Sequence, residues 1–202
     1  MLAIFQAAGW PIWFLLIASI IAVALIVERA ITLRREKILP RNLLDEVIKV
    51  HRSGKAAPDV VSTLEKNSPL GVVLAAALRN VNAPREVMKE SIEEAGRGVA
   101  QNLERFLTTL GTIASLAPLM GLFGTVVGMI EIFGSTAPTG GNNPAQLAHG
   151  ISVALYNTGF GLAIAMPALV AYRHFRNLID VYVTDMELQA VKFVDVVHGA
   201  RK

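Results

Sequence analysis

The sequence predicts an all-α integral membrane protein with three transmembrane helices. Hydrophobic residues make up 53% of the 202-residue chain, and its mean hydropathy is +0.49. The apolar residues form three long runs, and the charged residues cluster between these runs. Each run is close to, or longer than, the roughly 20 residues that a helix needs to cross a bilayer. This distribution is typical of a multi-pass membrane protein and not of a soluble domain.

The first predicted segment, residues 1–33, holds a surface segment and the first transmembrane helix. Trp10 and Trp13 stand at the start of this helix as interfacial anchors. Glu28 and Arg29 close its other end, where we expect an interfacial ion pair of Arg29 with Glu28 or a neighbour. The residues before Trp10 are apolar and uncharged, as in a short helix at a membrane surface. A cleaved signal peptide is the alternative, but the apolar run is too long and no positive charge precedes it.

Basic residues give the predicted orientation. They crowd just after the first span, at Arg29, Arg34, Arg35, Lys37 and Arg41. No Lys or Arg precedes that span, and none lies in the loop predicted at 134–149. Because basic residues favour the cytoplasmic side, we expect the amino terminus outside and the carboxyl terminus in the cytoplasm.

Residues 34–106 are predicted to form a cytoplasmic helical region. Ser68 is a capping residue followed by a proline, so a helix is predicted to begin there. Pro84 marks the start of another helix, and the glycines after it only weaken a helix. We therefore expect one helix of about 50 residues, roughly 75 Å long, to run from the cytoplasm through the second span.

The second span, residues 107–133, contains the sequence APLMGLFGTVVGMI. Gly121, Thr125 and Gly128 recur at spacings of four and three, so they share one helix face, which Pro118 extends. Small residues let another helix backbone approach closely, and the hydroxyl of Thr125 adds a polar group near the middle of the span.

The third span, residues 150–172, repeats this design in GISVALYNTGFGLAIAMPALVA. Its small-residue face consists of Ala154, Thr158, Gly161, Ala165 and Ala168, and Pro167 is its mid-helix proline. Two consecutive spans with one threonine each on a small-residue face indicate a shared lumen or a packing seam. Beyond the third span the pattern continues as an amphipathic helix through the last segment, residues 173–202, to about His198.

The two runs together resemble the proton-channel subunits called ExbB, TolQ and MotA, and the three spans match the ExbB and TolQ type. The resemblance implies a homo-oligomeric ring, commonly a pentamer, around a dimer of a single-span ExbD-, TolR- or MotB-like partner. That partner bears a membrane aspartate, and a TonB- or TolA-like protein is a further expected partner. The expected location is the bacterial inner membrane, with the amino terminus in the periplasm.

The same resemblance implies that Thr125 and Thr158 are the two lumen threonines. Ser152 and Asn157 are further polar candidates, and Asn157 either lines the lumen or bonds to a neighbouring helix. Glu131 lies near the outer end of the second span, either among headgroups or at the lumen entrance. In ExbB and TolQ proteins an acidic residue often stands early in the third span, but this chain has Val153 there.

Neither Glu28 nor Glu131 is central enough to carry a proton across the bilayer alone. If the threonine faces line a lumen, the titrating carboxylate must therefore come from another chain. A hydroxyl both donates and accepts hydrogen bonds, so it can hold an acid in either protonation state.

Other classes of function have little support. The histidines are isolated and there is no cysteine, so we predict no enzyme activity, no metal site and no cofactor. A net charge of +3 is too small to indicate nucleic-acid binding. A solute transporter would be expected to show paired broken spans. The remaining alternative is a structural membrane scaffold whose small-residue faces only pack helices.

Overall fold

The structure, a computed structural model, describes residues 10–53, 58–136 and 144–199. Every regular element in these ranges is an α-helix. The helices are α1 (Pro11–Thr32), α2 (Arg35–Ile38), α3 (Leu43–Arg52), α4 (Pro58–Asn67), α5 (Pro69–Arg79), α6 (Arg85–Glu104), α7 (Leu107–Thr136) and α8 (Pro144–Val197). Within the described ranges, α1, α7 and α8 are long and apolar enough to cross a membrane. The predicted all-helical class and the three candidate membrane helices are thus confirmed.

The last helix, α8, is continuous over 54 residues. It begins at Pro144, because proline has no backbone N–H to lose at the first turn and its fixed φ suits a helix start. It ends at Val197, next to the predicted end at about His198. The third span and the amphipathic C-terminal segment therefore belong to one helix, as the sequence predicted.

The single helix of about 50 residues predicted from Pro84 through the second span is wrong. Two helices, α6 and α7, replace it, and Arg105 and Phe106 lie between them. The N–H of Arg105 donates to the Asn102 carbonyl at 3.4 Å, a bond three residues back that tightens the last turn of α6. The Leu103 carbonyl accepts a hydrogen bond from Arg29 Nη1 at 2.9 Å. In an uninterrupted helix that carbonyl would accept from the N–H four residues later.

The chain divides into two compact units, of which the first contains residues up to 28 and residues 106–174. In this unit Leu15 of α1, Ala117 of α7 and Ala165 of α8 form a buried cluster. The ring of Trp10 lies edge-on to the ring of Phe123, with centroids 5.9 Å apart. The three candidate membrane helices thus pack on one another through small and aliphatic side chains.

The second unit contains residues 29–105 and 175–202, and α5 lies at its centre, in contact with α2, α3, α4 and α6. Most of α5 is buried: Leu70, Gly71, Val73, Leu74, Ala75, Ala77 and Leu78. The helix begins where the sequence predicted, because the hydroxyl of Ser68 accepts a hydrogen bond from the Gly71 N–H at 3.1 Å.

The C-terminal part of α8 belongs to this second unit and buries one face there. That face includes Phe175, Ile179, Tyr182, Met186, Ala190 and Phe193, at the spacing of three and four that an amphipathic helix shows. The Tyr182 hydroxyl donates to the Leu33 carbonyl at 3.0 Å, and Arg85 pairs with Asp195 at 2.7 Å. The ring of Phe193 lies edge-on to His51.

Candidate functional site at the threonine pair

Helices α7 and α8 run antiparallel and pack closely in the first unit. Gly111 faces the ring of Tyr172 near one end of the contact, and Gly128 faces Ala154 near the other. Between these ends the two backbones touch, since a Cβ atom added to Gly121 would lie 2.7 Å from the backbone oxygen of residue 157. Only glycine allows such an approach, as is typical of small-residue seams between membrane helices.

The predicted small-residue faces of the two spans meet at this contact. A Cβ atom on Gly161 would lie 2.5 Å from the Ala117 carbonyl oxygen and 3.1 Å from Gly121 Cα. Ala154 and Ala165 are buried in the same seam. The small-residue faces predicted on the two helices therefore form one interface.

The structure brings the two predicted threonines together in this seam, close to the Gly128 and Ala154 contact. The hydroxyl oxygens of Thr125 and Thr158 are 2.5 Å apart. Thr125 Oγ1 also lies 3.0 Å from the Ala154 carbonyl oxygen, and Thr158 Oγ1 lies 3.4 Å from that of Gly121. Both side chains are only partly buried, so one side of the pair is open.

This arrangement allows two directions of hydrogen bonding. In one, Thr125 donates to Thr158, and Thr158 donates to the Gly121 carbonyl. In the other, Thr158 donates to Thr125, and Thr125 donates to the Ala154 carbonyl. The backbone stays in place in both, because only the hydroxyl protons rotate. In each direction one hydroxyl proton stays between the two threonines, and the proton given to a carbonyl could turn to an outside acceptor instead. Each hydroxyl oxygen can also accept a hydrogen bond from an outside donor.

Asn157 lies beside the pair, fully buried against α7. A Cβ atom on Gly124 would lie 2.8 Å from Asn157 Cγ, so the side chain packs directly over that glycine. The sequence left open whether Asn157 lines a lumen or meets a neighbouring helix, and the structure places it against the neighbouring helix. Gly124 was missed, although its position three residues after Gly121 and four before Gly128 was a signal.

Other predicted residues lie away from this seam. Ser152 is on the exposed side of α8, where its hydroxyl donates to the Ala148 carbonyl at 2.9 Å. Pro118 is partly buried, but Pro167 is exposed and does not pack in the seam. A step of two residues from buried Ala165 turns Pro167 about 200° around the helix. The side chain of Glu131, like that of Val153, lies outside what the structure describes.

At the end of α1, Arg29 is 4% exposed and Glu28 is partly buried. The Arg29 guanidinium donates to the Leu103 carbonyl at the end of α6. The interfacial role expected for Arg29 did not include this buried contact.

We expect Arg29→Met to destabilise the end of α6 by about 2 kcal/mol, because the Leu103 carbonyl loses a charged donor. Limited trypsin digestion measures how readily this helix end unfolds, because unfolding speeds cleavage after Arg105, which is exposed between α6 and α7. Arg34→Met is the control, because it removes the same charge from an exposed position. Equal digestion rates in both variants would contradict a role of Arg29 at this helix end.

Comparison with known proteins shows the family of the chain. The sequence model of the MotA/TolQ/ExbB proton channel family matches residues 65–188, which include the whole threonine pair. The biopolymer transport protein ExbB-like 3 of Synechocystis sp. is 33% identical over 164 residues, which cover 79% of this chain and 77% of that protein. Biopolymer transport protein exbB1 of Vibrio cholerae is 28% identical over 211 residues, or 95% of this chain and 92% of its own. The Tol-Pal system protein TolQ of Pseudomonas aeruginosa is 29% identical over 158 residues, which cover 76% of this chain and 68% of that protein. The chain therefore belongs to the MotA/TolQ/ExbB proton channel family.

Proposed function

We propose that this protein is the channel subunit of an inner-membrane motor that turns the proton motive force into mechanical work across the envelope. The titrating aspartate comes from a single-span ExbD- or TolR-like partner. The hydroxyl pair of Thr125 and Thr158 is the observation that carries the proposal. One charge crossing 100 mV releases about 2.3 kcal/mol, which is enough to bias a two-state assembly.

The pair suits a carboxyl group that arrives from outside the chain. A protonated carboxyl must donate a hydrogen bond, and a carboxylate must accept one. Since one threonine proton can turn from a carbonyl to a carboxylate, and a hydroxyl oxygen can accept from a protonated carboxyl, the pair can solvate both forms of the acid. Neither protonation state of the acid is then strongly favoured. A proton carrier needs this balance, because it must release its proton as readily as it binds one.

The exposed face of the membrane unit supports an assembly with other chains in the bilayer. Leu119 is 60% exposed and Leu122 is 55% exposed on α7, and Leu155 is 62% exposed on α8. Such surfaces are stable only against lipid or another apolar surface. We propose a homo-oligomeric ring, pentameric as in the family, around a partner dimer, with a TonB- or TolA-like protein as the recipient of the work. The amino terminus then faces the periplasm and the carboxyl terminus the cytoplasm.

Reconstitution with a partner tests the proposal. We expect the chain to co-purify with a single-span protein that has an aspartate in its span. Liposomes holding both proteins should take up protons when a potassium gradient sets the membrane potential. The control replaces the partner's aspartate by asparagine and should stop the uptake. Equal uptake by liposomes that hold this chain alone would contradict an acid supplied by the partner.

A structural scaffold is the second candidate, because helix packing alone, through the contacts at Gly121 and Gly161, explains the small-residue faces of α7 and α8. A scaffold needs the glycines and not the hydroxyls. Substitutions of the two kinds of residue therefore separate the candidates.

A further inference from the structure

We propose that the leucines beside the threonine pair, Leu122, Leu155 and Leu162, form an apolar seal. The seal keeps water and hydrated ions out of the lumen, so that a proton crosses only on the partner's acid. The inference rests on the proposed function, because it takes the open side of the pair to face the lumen of the ring. It goes beyond that function by naming the residues that prevent a proton leak.

The threonine pair and α1 lie at opposite edges of the seam between α7 and α8. Leu15 of α1 belongs to a buried cluster against which Met120 of α7 and Phe160 of α8 pack. Thr125 follows Met120 by five residues, so it points about 140° away from it around α7. Thr158 precedes Phe160 by two residues, a turn of about 200° around α8. The open side of the pair therefore faces away from α1.

Apolar side chains flank each threonine on this open side. Leu122 comes three residues before Thr125 on α7. On α8, Leu155 comes three residues before Thr158, and Leu162 comes four after it. Residues at these spacings are neighbours on a helix surface. Leu122 is 55% exposed, Leu155 62% and Leu162 45%, whereas the seam itself is buried. The open side of the pair is therefore bordered by leucine side chains.

The antiparallel packing of α7 and α8 places these side chains at two levels along the helix axes. Leu122 and Leu162 lie at one level, because one precedes and the other follows its threonine on helices of opposite direction. Leu155 lies at the other level, together with Met129, which comes four residues after Thr125. With a rise of 1.5 Å per residue, each level is about 5 Å from the threonines. The hydroxyls therefore lie between two apolar levels.

A ring of subunits repeats both levels around its axis. A narrow apolar constriction excludes water, because alkyl groups cannot replace the hydrogen bonds that water would lose there. A single-span partner presents mostly apolar side chains, so the leucines can pack against it. A continuous chain of water molecules, which would conduct protons without the partner's acid, is then interrupted on both sides of the hydroxyls.

The test uses liposomes with this chain and a partner whose aspartate is replaced by asparagine, since the proposed function allows no uptake there. The variant Leu122→Ser/Leu155→Ser places a hydroxyl at each level, because either level alone still excludes water. We expect it to raise proton uptake about tenfold or more above that of the wild-type chain, since keeping a leucine side chain out of water is worth at least that factor.

The matched control is Leu116→Ser/Val170→Ser. Leu116 is 50% exposed on α7 and Val170 is 69% exposed on α8. Leu116 lies nine residues before Thr125, half a turn away around the helix, and Val170 lies twelve residues after Thr158, a third of a turn away. Because neither residue flanks the pair, this variant should not raise uptake. If the serine variant at Leu122 and Leu155 does not co-purify with the partner, Leu122→Ala/Leu155→Ala replaces it, since alanine widens the same levels and favours a helix.

Two results would overturn the inference. One is unchanged uptake in the variants of Leu122 and Leu155, which would mean that these leucines face lipid or that other residues exclude water. The other is an equal rise in the control, which would mean that any serine on these helices admits protons. Neither result touches the proposed function, which fails only if the wild-type chain takes up no protons with the intact partner.

Discussion

Thr125→Val and Thr158→Val should each lower proton uptake with the partner about tenfold or more, the rate equivalent of losing one hydrogen bond to a charged group. Valine keeps the shape of threonine and removes the hydroxyl. Without one hydroxyl, the partner's acid loses one hydrogen-bonding group, and the remaining hydroxyl loses the neighbour that orients it, so the acid is solvated less well. Uptake by partner-containing liposomes measures the effect.

The fold should survive both substitutions. The Gly121 and Ala154 carbonyls lie inside helices and keep their backbone donors, so each lost hydroxyl costs about 1 kcal/mol or less. Thr112→Val on α7 is the matched control, because Thr112 is exposed and its hydroxyl only donates to the carbonyl of Thr108 at 2.8 Å. It should leave uptake unchanged.

Normal uptake by both pair variants would remove the basis of the proposed channel role and favour a scaffold. A lowered uptake in Thr112→Val as well would show that any lost hydroxyl on α7 matters. In that case the paired geometry of Thr125 and Thr158 would have no special part.

The face on which each threonine lies was predictable from sequence because it follows from helix periodicity. Spacings of three and four place Thr125 on the face of Gly121, and Thr158 on the face of Gly161. Two consecutive membrane helices joined by a short loop are antiparallel. Their small-residue faces can therefore pack against each other. The local signals at Ser68 and Pro144 were predictable for the same reason, since a helix start depends only on nearby residues.

The end of α6 was not predictable from nearby residues, and the long-range contact that the structure shows there comes from far away in the chain. The donor to the Leu103 carbonyl is Arg29, 74 residues earlier in the sequence. No helix breaker stands near Arg105, so local propensity favoured an unbroken helix. Likewise, nothing near Asn157 shows that its amide lies over Gly124. That contact depends on the register of two helices, and a pattern repeated every turn does not specify a register.

The packing of the seam gives the other large expected effect. Gly161→Ala should destabilise the membrane unit by about 3 kcal/mol, because its methyl group meets backbone atoms of Ala117 and Gly121 that no rotamer change can move. For a chain of this size we expect the thermal midpoint in detergent to fall by about 10 °C. In a Trp13→Phe background, the fluorescence of Trp10 against Phe123 follows the unfolding of this unit.

Gly159→Ala is the control on the same helix, two residues away. Nothing lies within 4 Å of the Cβ atom it would add, so the methyl group meets open space. Since alanine favours a helix over glycine, Gly159→Ala should raise stability by up to about 1 kcal/mol, the opposite sign to Gly161→Ala. Equal midpoints for the two variants would mean that α7 and α8 do not approach through Gly161. The hydroxyls of Thr125 and Thr158 would then lose the contact that places them together, and the channel proposal would fail with the scaffold one.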